Sequence, residues 1–354
     1  MMDTVAAARA VAGRALGPAV VFSRVTTDSR AIDPGDLFVA LAGERFDGHD
    51  YVDTALAAGA AAALVADHRS SGIAGSVIAV ADPLVALGAL AAHWRTRFDL
   101  PLAAVVGSNG KTSTKEMIAA VFREAAGADH VLATAGNFNN AIGMPLTLLR
   151  LRALHRLAVV EIGMNHRGET ATLAALARPT VAVITNAQRE HQEFMRSVAD
   201  VAAEHADVIA ALPAGGVAVI NADDEYADVW RAAARAAGAS MLEFGLAHRA
   251  DVTGRYTPRG DGGELALFTP QGDATVVLAV PGRHMAANAL AAAATALAAG
   301  VALPAIARGL SEFRAAPGRL APVTVLVSLT SILLANSALG IFFSLNFFSI
   351  NRPM

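Results

Sequence analysis

The chain has 354 residues, of which 54% are apolar and 17% are charged. At roughly 150 residues per domain, this length predicts two domains, and the composition excludes global disorder. The formal net charge of −3 provides no basic field for nucleic acid. The absence of cysteine excludes a disulfide framework, a thiolate nucleophile and a metal site with cysteine ligands.

The first 100 residues predict a small α/β unit. Apolar spacing, together with Pro83 at a helix start, indicates three helices, and short apolar runs indicate two strands. A turn-rich, charged loop is predicted over 26–50. The helices are expected over 3–13, 52–58 and 83–97, and the strands over 62–65 and 77–80.

From Pro101 onward, apolar strands alternate with helical segments. This alternation indicates an α/β fold with a mostly parallel sheet that helices cover on both faces. The strands are predicted over 102–106, 130–133, 157–162, 181–185 and 217–220, and a strand-like stretch over 251–280. The helices are predicted over 112–126, 169–177, 198–212, 225–236, 285–299 and 303–313.

The two ends of the chain bear on its location. Asp3, Arg9 and Arg14 interrupt the apolar N-terminus, so no secretory signal is predicted and the cytoplasm is the expected compartment. Residues 320–351 carry no charge. Their apolar run exceeds the about 20 residues that cross a bilayer, although Ser, Thr and Asn within it argue against a membrane span.

A glycine-rich turn, Gly107-Ser-Asn-Gly-Lys-Thr112, joins one apolar strand to the next helix. In this context backbone N–H groups and a helix N-terminus can bind phosphate. Lys111 is expected to reach the β- and γ-phosphates, and Thr112 to ligate Mg²⁺. Only two of the 28 basic residues are lysines, Lys111 and Lys115, which favours a specific role for Lys111. Because Val105 replaces the first glycine of the usual motif, an ordinary strand–helix turn is the alternative.

Further polar side chains follow neighbouring strands, at the edge where ligands bind to parallel sheets. A carboxylate that faces a phosphate loop can hold Mg²⁺, which prefers oxygen ligands. Each residue also has a simpler interpretation, as a solvated acid, a hydrogen-bonding histidine or a turn asparagine. The candidates are Glu161, Asn186, His191, Asn137, Asn139 and Asn140.

Several motifs, in order along the chain, resemble the Mur ligase family. They are TTDSRAIDPGDLFVALAGERFDGHDY, GSNGKTSTKEM, NFNNAIGMPLTLLRL, EIGMNHRGE, TNAQREHQEF and PGRHMAANALAA. The resemblance covers residues 20–320 nearly continuously. NFNN and GMNH indicate the branch that adds D-alanyl-D-alanine to UDP-N-acetylmuramoyl-tripeptide, rather than the sister branch that adds a diamino acid.

The resemblance implies an ATP- and Mg²⁺-dependent amide ligase of peptidoglycan precursor synthesis that acts through an acyl-phosphate. It implies catalytic roles for Lys111, Glu161 and His191, and Mg²⁺ ligation by Thr112, Glu161 and His191. The residues implied to bind ATP are Gly107, Ser108, Asn109, Gly110, Lys111, Thr112, Ser113, Asn288 and Arg319. The residues implied to bind the UDP-sugar peptide are Ser29, Arg30, Asp47, His49, Asn137, Asn139 and Asn140.

The resemblance also divides the chain. It implies a UDP-muramoyl-peptide-binding domain over 1–100, an ATP-binding central domain over 101–320 and an apolar tail of unrelated sequence over 321–354. The family's third, Rossmann-like domain is interpreted as absent, so turnover is expected to be impaired. A disrupted reading frame explains the tail, and a membrane anchor is the alternative. A monomer is expected, with no nucleic-acid partner and with membrane contact only through the tail.

Two hypotheses stand beside the leading one. The chain is either a sister ligase that adds a diamino acid, or an inactive module that binds nucleotide and UDP-sugar, with or without a membrane attachment. His205 stands where many Mur ligases carry a carbamylated lysine that binds a second Mg²⁺. Because an imidazole cannot form this carbamate, the second metal site is in doubt, and a helix-surface histidine is the alternative.

Overall fold

The structure is a computed structural model that describes residues 1–190 and 194–314. Within this range the chain forms one compact unit. The strands are β1 (Met2–Asp3), β2 (Arg14–Leu16), β3 (Val21–Phe22), β4 (Arg24–Thr26), β5 (Asp36–Val39), β6 (Ala62–Ala66), β7 (Val77–Val80), β8 (Leu102–Val106), β9 (Val131–Ala133), β10 (Leu157–Glu161), β11 (Val181–Ile184), β12 (Val217–Asn221), β13 (Ser240–Gly245), β14 (Val252–Arg259), β15 (Gly262–Thr269) and β16 (Gly272–Leu278). The helices are α1 (Thr4–Ala10), α2 (Val52–Ala57), α3 (Pro83–Arg95), α4 (Lys111–Ala126), α5 (Gly143–Leu148), α6 (Glu169–Ala177), α7 (Val198–Ala210), α8 (Ala227–Ala237), α9 (Arg283–Ala298) and α10 (Leu303–Glu312).

The largest sheet in the described part of the chain has nine strands in the order β16-β15-β14-β13-β12-β11-β8-β10-β9. It is parallel from β9 to β14, and β15 and β16 add an antiparallel extension. This confirms the predicted mostly parallel sheet. β8 lies between β10 and β11, with Val105 paired to both Glu161 and Val183. The chain order reverses at β8, and parallel sheets bind ligands in the crevice at such a point.

Helix α4 packs against this sheet because its apolar residues recur at helical spacing. Met117, Ile118, Val121 and Phe122 are fully buried, as the periodicity predicts. α10 packs against α4 at close range. A Cβ atom at Gly309 would lie 2.5 Å from the Val121 Cα, so only glycine allows this approach. The loop that leads into α4 is therefore attached to a tightly packed helix.

A second sheet lies in the N-terminal part, with the order β2-β7-β6-β5-β4. The prediction of a charged loop over 26–50 is wrong here, because β5 lies within that segment. β5 is fully buried and pairs in parallel with β4 and β6. Its first residue, Asp36, accepts hydrogen bonds from Arg24 Nε and the Asp33 amide, both at 2.8 Å. Asp36 makes the β5 segment look like part of a charged loop, although Arg24 neutralises its charge inside the fold.

The N-terminal part is joined to the central part by buried hydrogen bonds from α3. The Arg95 guanidinium donates to the carbonyls of Ala177 at 3.0 Å and Arg178 at 3.2 Å, at the C-terminal end of α6. The Trp94 indole donates to the Leu151 carbonyl at 3.0 Å. Both side chains are buried. The two parts therefore share a core.

In the part of the chain that the structure describes, no helix has the length and apolarity needed to cross a membrane. The uncharged stretch over 320–351, for which a span is an interpretation, lies outside the described residues.

We expect Arg95→Ala to lower the free energy of unfolding by about 2–4 kcal/mol, because it leaves several buried carbonyls without a donor. Urea unfolding followed by circular dichroism measures this. The matched control is Arg235→Ala, on an exposed position of α8, which should change stability by no more than about 0.5 kcal/mol. Equal effects of the two variants would contradict the role given to Arg95.

Candidate functional site

The loop between β8 and α4 approaches its neighbours too closely for side chains at two positions. Gly107 has φ +132°, and a Cβ atom there would lie 2.0 Å from Thr185 Oγ1. Gly110 has φ +81°, and its Cβ would lie 2.5 Å from Asn288 Oδ1. Glycine is therefore required at both positions. Asn288 of α9 lies against the loop, and its contact with a nucleotide stays a prediction.

The segment after β11 holds the loop through hydrogen bonds. The Asn109 amide donates to Asn186 Oδ1 at 2.9 Å, and Asn186 Nδ2 donates to the Asn109 carbonyl at 2.9 Å. Thr185 Oγ1 donates to the same carbonyl at 2.7 Å. Asn186, a candidate from the sequence, thus fixes the loop backbone.

Lys111 begins α4, so its ammonium lies where the helix N-terminus meets the loop. Nζ donates to the carbonyls of Gly107 and Ser108, the latter at 3.3 Å. It also lies 3.7 Å from Glu190 Oε2. Thr112 and Ser113 follow in the first turn of the same helix. The helix N-terminus and the ammonium together make this end of the loop favourable for an anion.

Glu161, the last residue of β10, is only 2% exposed, so it is not a solvated loop acid. Its amide donates to Thr134 Oγ1 at 3.1 Å, and its Oε1 accepts from Asn139 Nδ2 at 2.8 Å. Its Oε2 is buried and has no hydrogen-bond partner. An orphaned buried carboxylate oxygen is a fitting ligand for a divalent cation such as Mg²⁺, to which the Thr112 hydroxyl can contribute.

The third implied metal ligand, His191, lies outside the described residues, as does Arg319. Within the described ranges, no group of three or more histidine and acidic side chains forms a metal centre by itself. Among the described candidates, the fit of this site to a divalent cation therefore rests on Glu161.

Lys115 lies near the phosphate loop and also has a structural role. Its side chain is fully buried, and Nζ donates to the Thr134 carbonyl at 2.8 Å and to the Glu116 carboxylate. The Thr134 hydroxyl in turn binds the backbone of Glu161. Lys115 thereby links the P-loop helix to the strand end that carries Glu161, a role that sequence reasoning missed.

A cavity of about 700 Å³ brings Lys111 together with the asparagine loop. Asn139 and Asn140 line it, whereas the exposed Asn137 does not. Asn140 Oδ1 also accepts from the amides of Ile142 and Gly143, at 3.1 and 2.8 Å, so it has the turn role as well. The remaining lining residues are Leu84, Ala141, Ile142, Gly163, Met164, Asn165, Arg167, Gly168, Glu169, Thr172 and Leu173.

The four candidates in the N-terminal part do not line this cavity. Arg30 donates to Asp28 at 2.9 Å, and this contact lowers the pKa of Asp28 to about 2. Both ring nitrogens of His49 are engaged, Nδ1 with Asp47 at 2.5 Å and Nε2 with the Ala66 amide at 2.9 Å. For Ser29, Arg30, Asp47 and His49, binding of the UDP-sugar stays a prediction.

Glu190 and His205 lie beside the loop, with Glu190 Oε2 at 3.7 Å from Lys111 Nζ and His205 Nε2 at 3.2 Å from Glu190 Oε1. Glu190 lies within the quoted motif TNAQREHQEF, and its acidic charge directly before a candidate metal ligand was the available signal. His205 is 1% exposed, so the alternative of a helix-surface histidine is wrong.

The central sheet, the glycine loop after β8 and the lysine that begins α4 define a P-loop nucleotide-binding protein of the α/β class. The chain belongs to the Mur ligase family: the Mur ligase middle domain matches residues 105–296, and the Mur ligase family catalytic domain matches residues 21–95.

Curated relatives agree with this family. The chain is 41% identical over 321 residues to the UDP-N-acetylmuramoyl-tripeptide–D-alanyl-D-alanine ligase of Escherichia coli K12, covering 88% of this chain and 68% of the relative. It is 36% identical over 326 residues to the ligase of the same name from Haemophilus influenzae, covering 92% and 70%.

Solved structures give the same picture. A crystal structure of MurF from Acinetobacter baumannii superposes with a TM-score of 0.83 at 33% identity, covering 90% of this chain and 70% of that one. MurF from Thermotoga maritima in complex with ADP superposes with a TM-score of 0.74 at 26% identity, covering 84% and 67%.

We expect Gly110→Ala to weaken ADP binding at least tenfold, because its Cβ would displace Asn288 and the loop. Gly215→Ala is the matched control, since Gly215 also has φ +81° but has no atom within 4 Å of the added Cβ. Both variants carry the same left-handed strain, roughly 1–2 kcal/mol. Isothermal titration calorimetry should therefore separate them, and equal ADP affinities would contradict the close approach at Gly110.

Proposed function

We propose that the chain joins D-alanyl-D-alanine to UDP-N-acetylmuramoyl-tripeptide and cleaves ATP to ADP and phosphate in doing so. The observation that carries this proposal is the cavity that runs from Lys111 to Asn139 and Asn140. It supports a phosphate donor and a carboxylate acceptor that are bound side by side. The names of the relatives supply the identity of the two substrates.

In this proposal the glycine loop and α4 bind the nucleotide phosphates. The backbone N–H groups, the helix N-terminus and the Lys111 ammonium neutralise charge on the β- and γ-phosphates. Thr112 and Glu161, with His191 as the resemblance implies, would hold Mg²⁺, which would supply further neutralisation of the phosphate oxygens. Asn139 holds one Glu161 oxygen through its amide, so the other oxygen keeps its direction towards a cation.

The acceptor peptide occupies the rest of the cavity. Its terminal carboxylate attacks the γ-phosphorus, the bond to the β–γ bridging oxygen breaks, and ADP leaves. The amine of D-alanyl-D-alanine then attacks the acyl carbon, phosphate leaves, and the amine loses its extra proton. Leu84, Met164 and Leu173 line the cavity with apolar surface, which limits the access of water to the acyl-phosphate.

We further propose that the protein acts as a monomer in the cytoplasm. Dependence on ATP supports a compartment that supplies it.

We expect wild-type protein to form amide product from UDP-N-acetylmuramoyl-tripeptide, ATP and D-alanyl-D-alanine, and Lys111→Met to lower the rate at least 100-fold. The physical reason is the loss of the cation that neutralises the transferred phosphoryl group. A coupled assay of ADP release, with mass spectrometry of the product, measures both. Arg235→Met, on exposed α8, is the control and should keep the wild-type rate.

Exchanging the amine separates the alternatives. Ligation of a diamino acid to the corresponding dipeptide precursor, without ligation of D-alanyl-D-alanine, would contradict the proposal in favour of the sister activity. ATP binding that Lys111→Met abolishes, with no ligation of either amine, would contradict it in favour of a binding module.

A further inference from the structure

The carboxylate of Glu190 lies inside the phosphate loop, where none of the steps above uses it. It follows β11 and is only 14% exposed at the side chain. Its Oε1 accepts a hydrogen bond from Ser108 Oγ at 2.9 Å, and its Oε2 lies 3.7 Å from Lys111 Nζ. Glu190 thus contacts the ammonium that the proposed function assigns to phosphate, together with a hydroxyl of the same loop.

The Glu190 carboxylate lies among three partners, with Ser108 Oγ at 2.9 Å, His205 Nε2 at 3.2 Å and Lys111 Nζ at 3.7 Å. Nucleotide phosphates that bind to Lys111 Nζ would lie beside this carboxylate, whose Oε2 is 3.7 Å from that nitrogen. A carboxylate and a phosphate that both contact the same ammonium repel each other strongly unless a cation lies between them.

His205 of α7 lies against the far side of this carboxylate. Its Nε2 is 3.2 Å from Glu190 Oε1, and the ring is 1% exposed. Neither ring nitrogen has a hydrogen bond of acceptable geometry, although both are buried. The imidazole therefore limits the movement of the Glu190 carboxylate when a phosphate binds to Lys111 in its place.

We propose that Glu190 is a further ligand of the divalent cation that accompanies the nucleotide, and that His205 is its positioning residue. This rests on the proposed nucleotide site. A carboxylate that faces phosphate oxygens across a short gap is the arrangement in which a hard cation bridges the two. The same cation would remove the repulsion, so Glu190 should make nucleotide binding strongly dependent on the metal.

The test measures the dissociation constant of ADP by isothermal titration calorimetry, once with EDTA and once with saturating Mg²⁺. The ratio of the two constants is the metal effect. For Glu190→Gln we expect tighter ADP binding in EDTA, because the repulsion is gone, and a metal effect that is at least tenfold smaller. Glu312→Gln, an exposed carboxylate on α10, is the matched control and should keep the wild-type ratio.

A second variant at the same position shows whether a change seen in Glu190→Gln comes from the carboxylate or from a loss of the fold. Glu190→Asp keeps the charge but withdraws it by one methylene, so ADP binding in EDTA should stay as weak as in the wild type while the metal effect falls. For His205→Gln we expect a fall of about tenfold in the metal effect, as for other residues that orient a metal ligand. A purely structural role of His205 would leave the ratio unchanged.

The outcomes separate this inference from the proposed function. Tighter ADP binding by Glu190→Gln in EDTA and in Mg²⁺ by the same factor would mean that Glu190 only competes for Lys111, and would overturn the inference. A metal effect equal to that of the wild type in both Glu190 variants would also overturn it. Failure of the wild type to bind ADP at all would instead overturn the proposed function.

Discussion

The position of the Lys111 ammonium at the end of the central strand is the constraint on which the rest of the site depends. It is set by a backbone that passes so close to Thr185 and Asn288 that only glycine fits at 107 and 110. Carbonyls of the loop hold the ammonium on one side, and Glu190 faces it on another. The sheet sets the direction in which the loop leaves the central strand, because the loop follows β8, where the strand order reverses.

Around this point the structure connects elements that lie far apart in sequence. Lys115 binds the carbonyl of Thr134, whose hydroxyl binds Glu161, whose carboxylate binds Asn139. A single chain of hydrogen bonds thus runs from the P-loop helix to the loop that lines the cavity, and it is buried up to Glu161 and partly buried at Asn139. These contacts keep the two halves of the site in register, since breaking a buried one leaves a polar group unpaired.

The sequence was sufficient for the central sheet, because continuous apolar strands and helical periodicity follow directly from burial on both faces. It failed for β5, where Asp36 looks like a loop residue but is neutralised by Arg24 inside the fold. For the site, the glycine loop and Glu161 were recognisable from local patterns. Lys115 was not, because its role depends on Thr134, which only the tertiary fold brings close. Glu190 directly precedes a candidate metal ligand in the sequence, but its role also depends on His205, which likewise comes close only in the fold.

The central claim is that one cavity brings a carboxylate acceptor to the phosphate held over Lys111. The most direct measurement is to incubate the protein with ATP and UDP-N-acetylmuramoyl-tripeptide in hydroxylamine, without D-alanyl-D-alanine, and to search for a hydroxamate of the tripeptide by mass spectrometry. The account predicts that the hydroxamate accumulates with ADP and that Lys111→Met abolishes both. Binding of both substrates without any hydroxamate would contradict it.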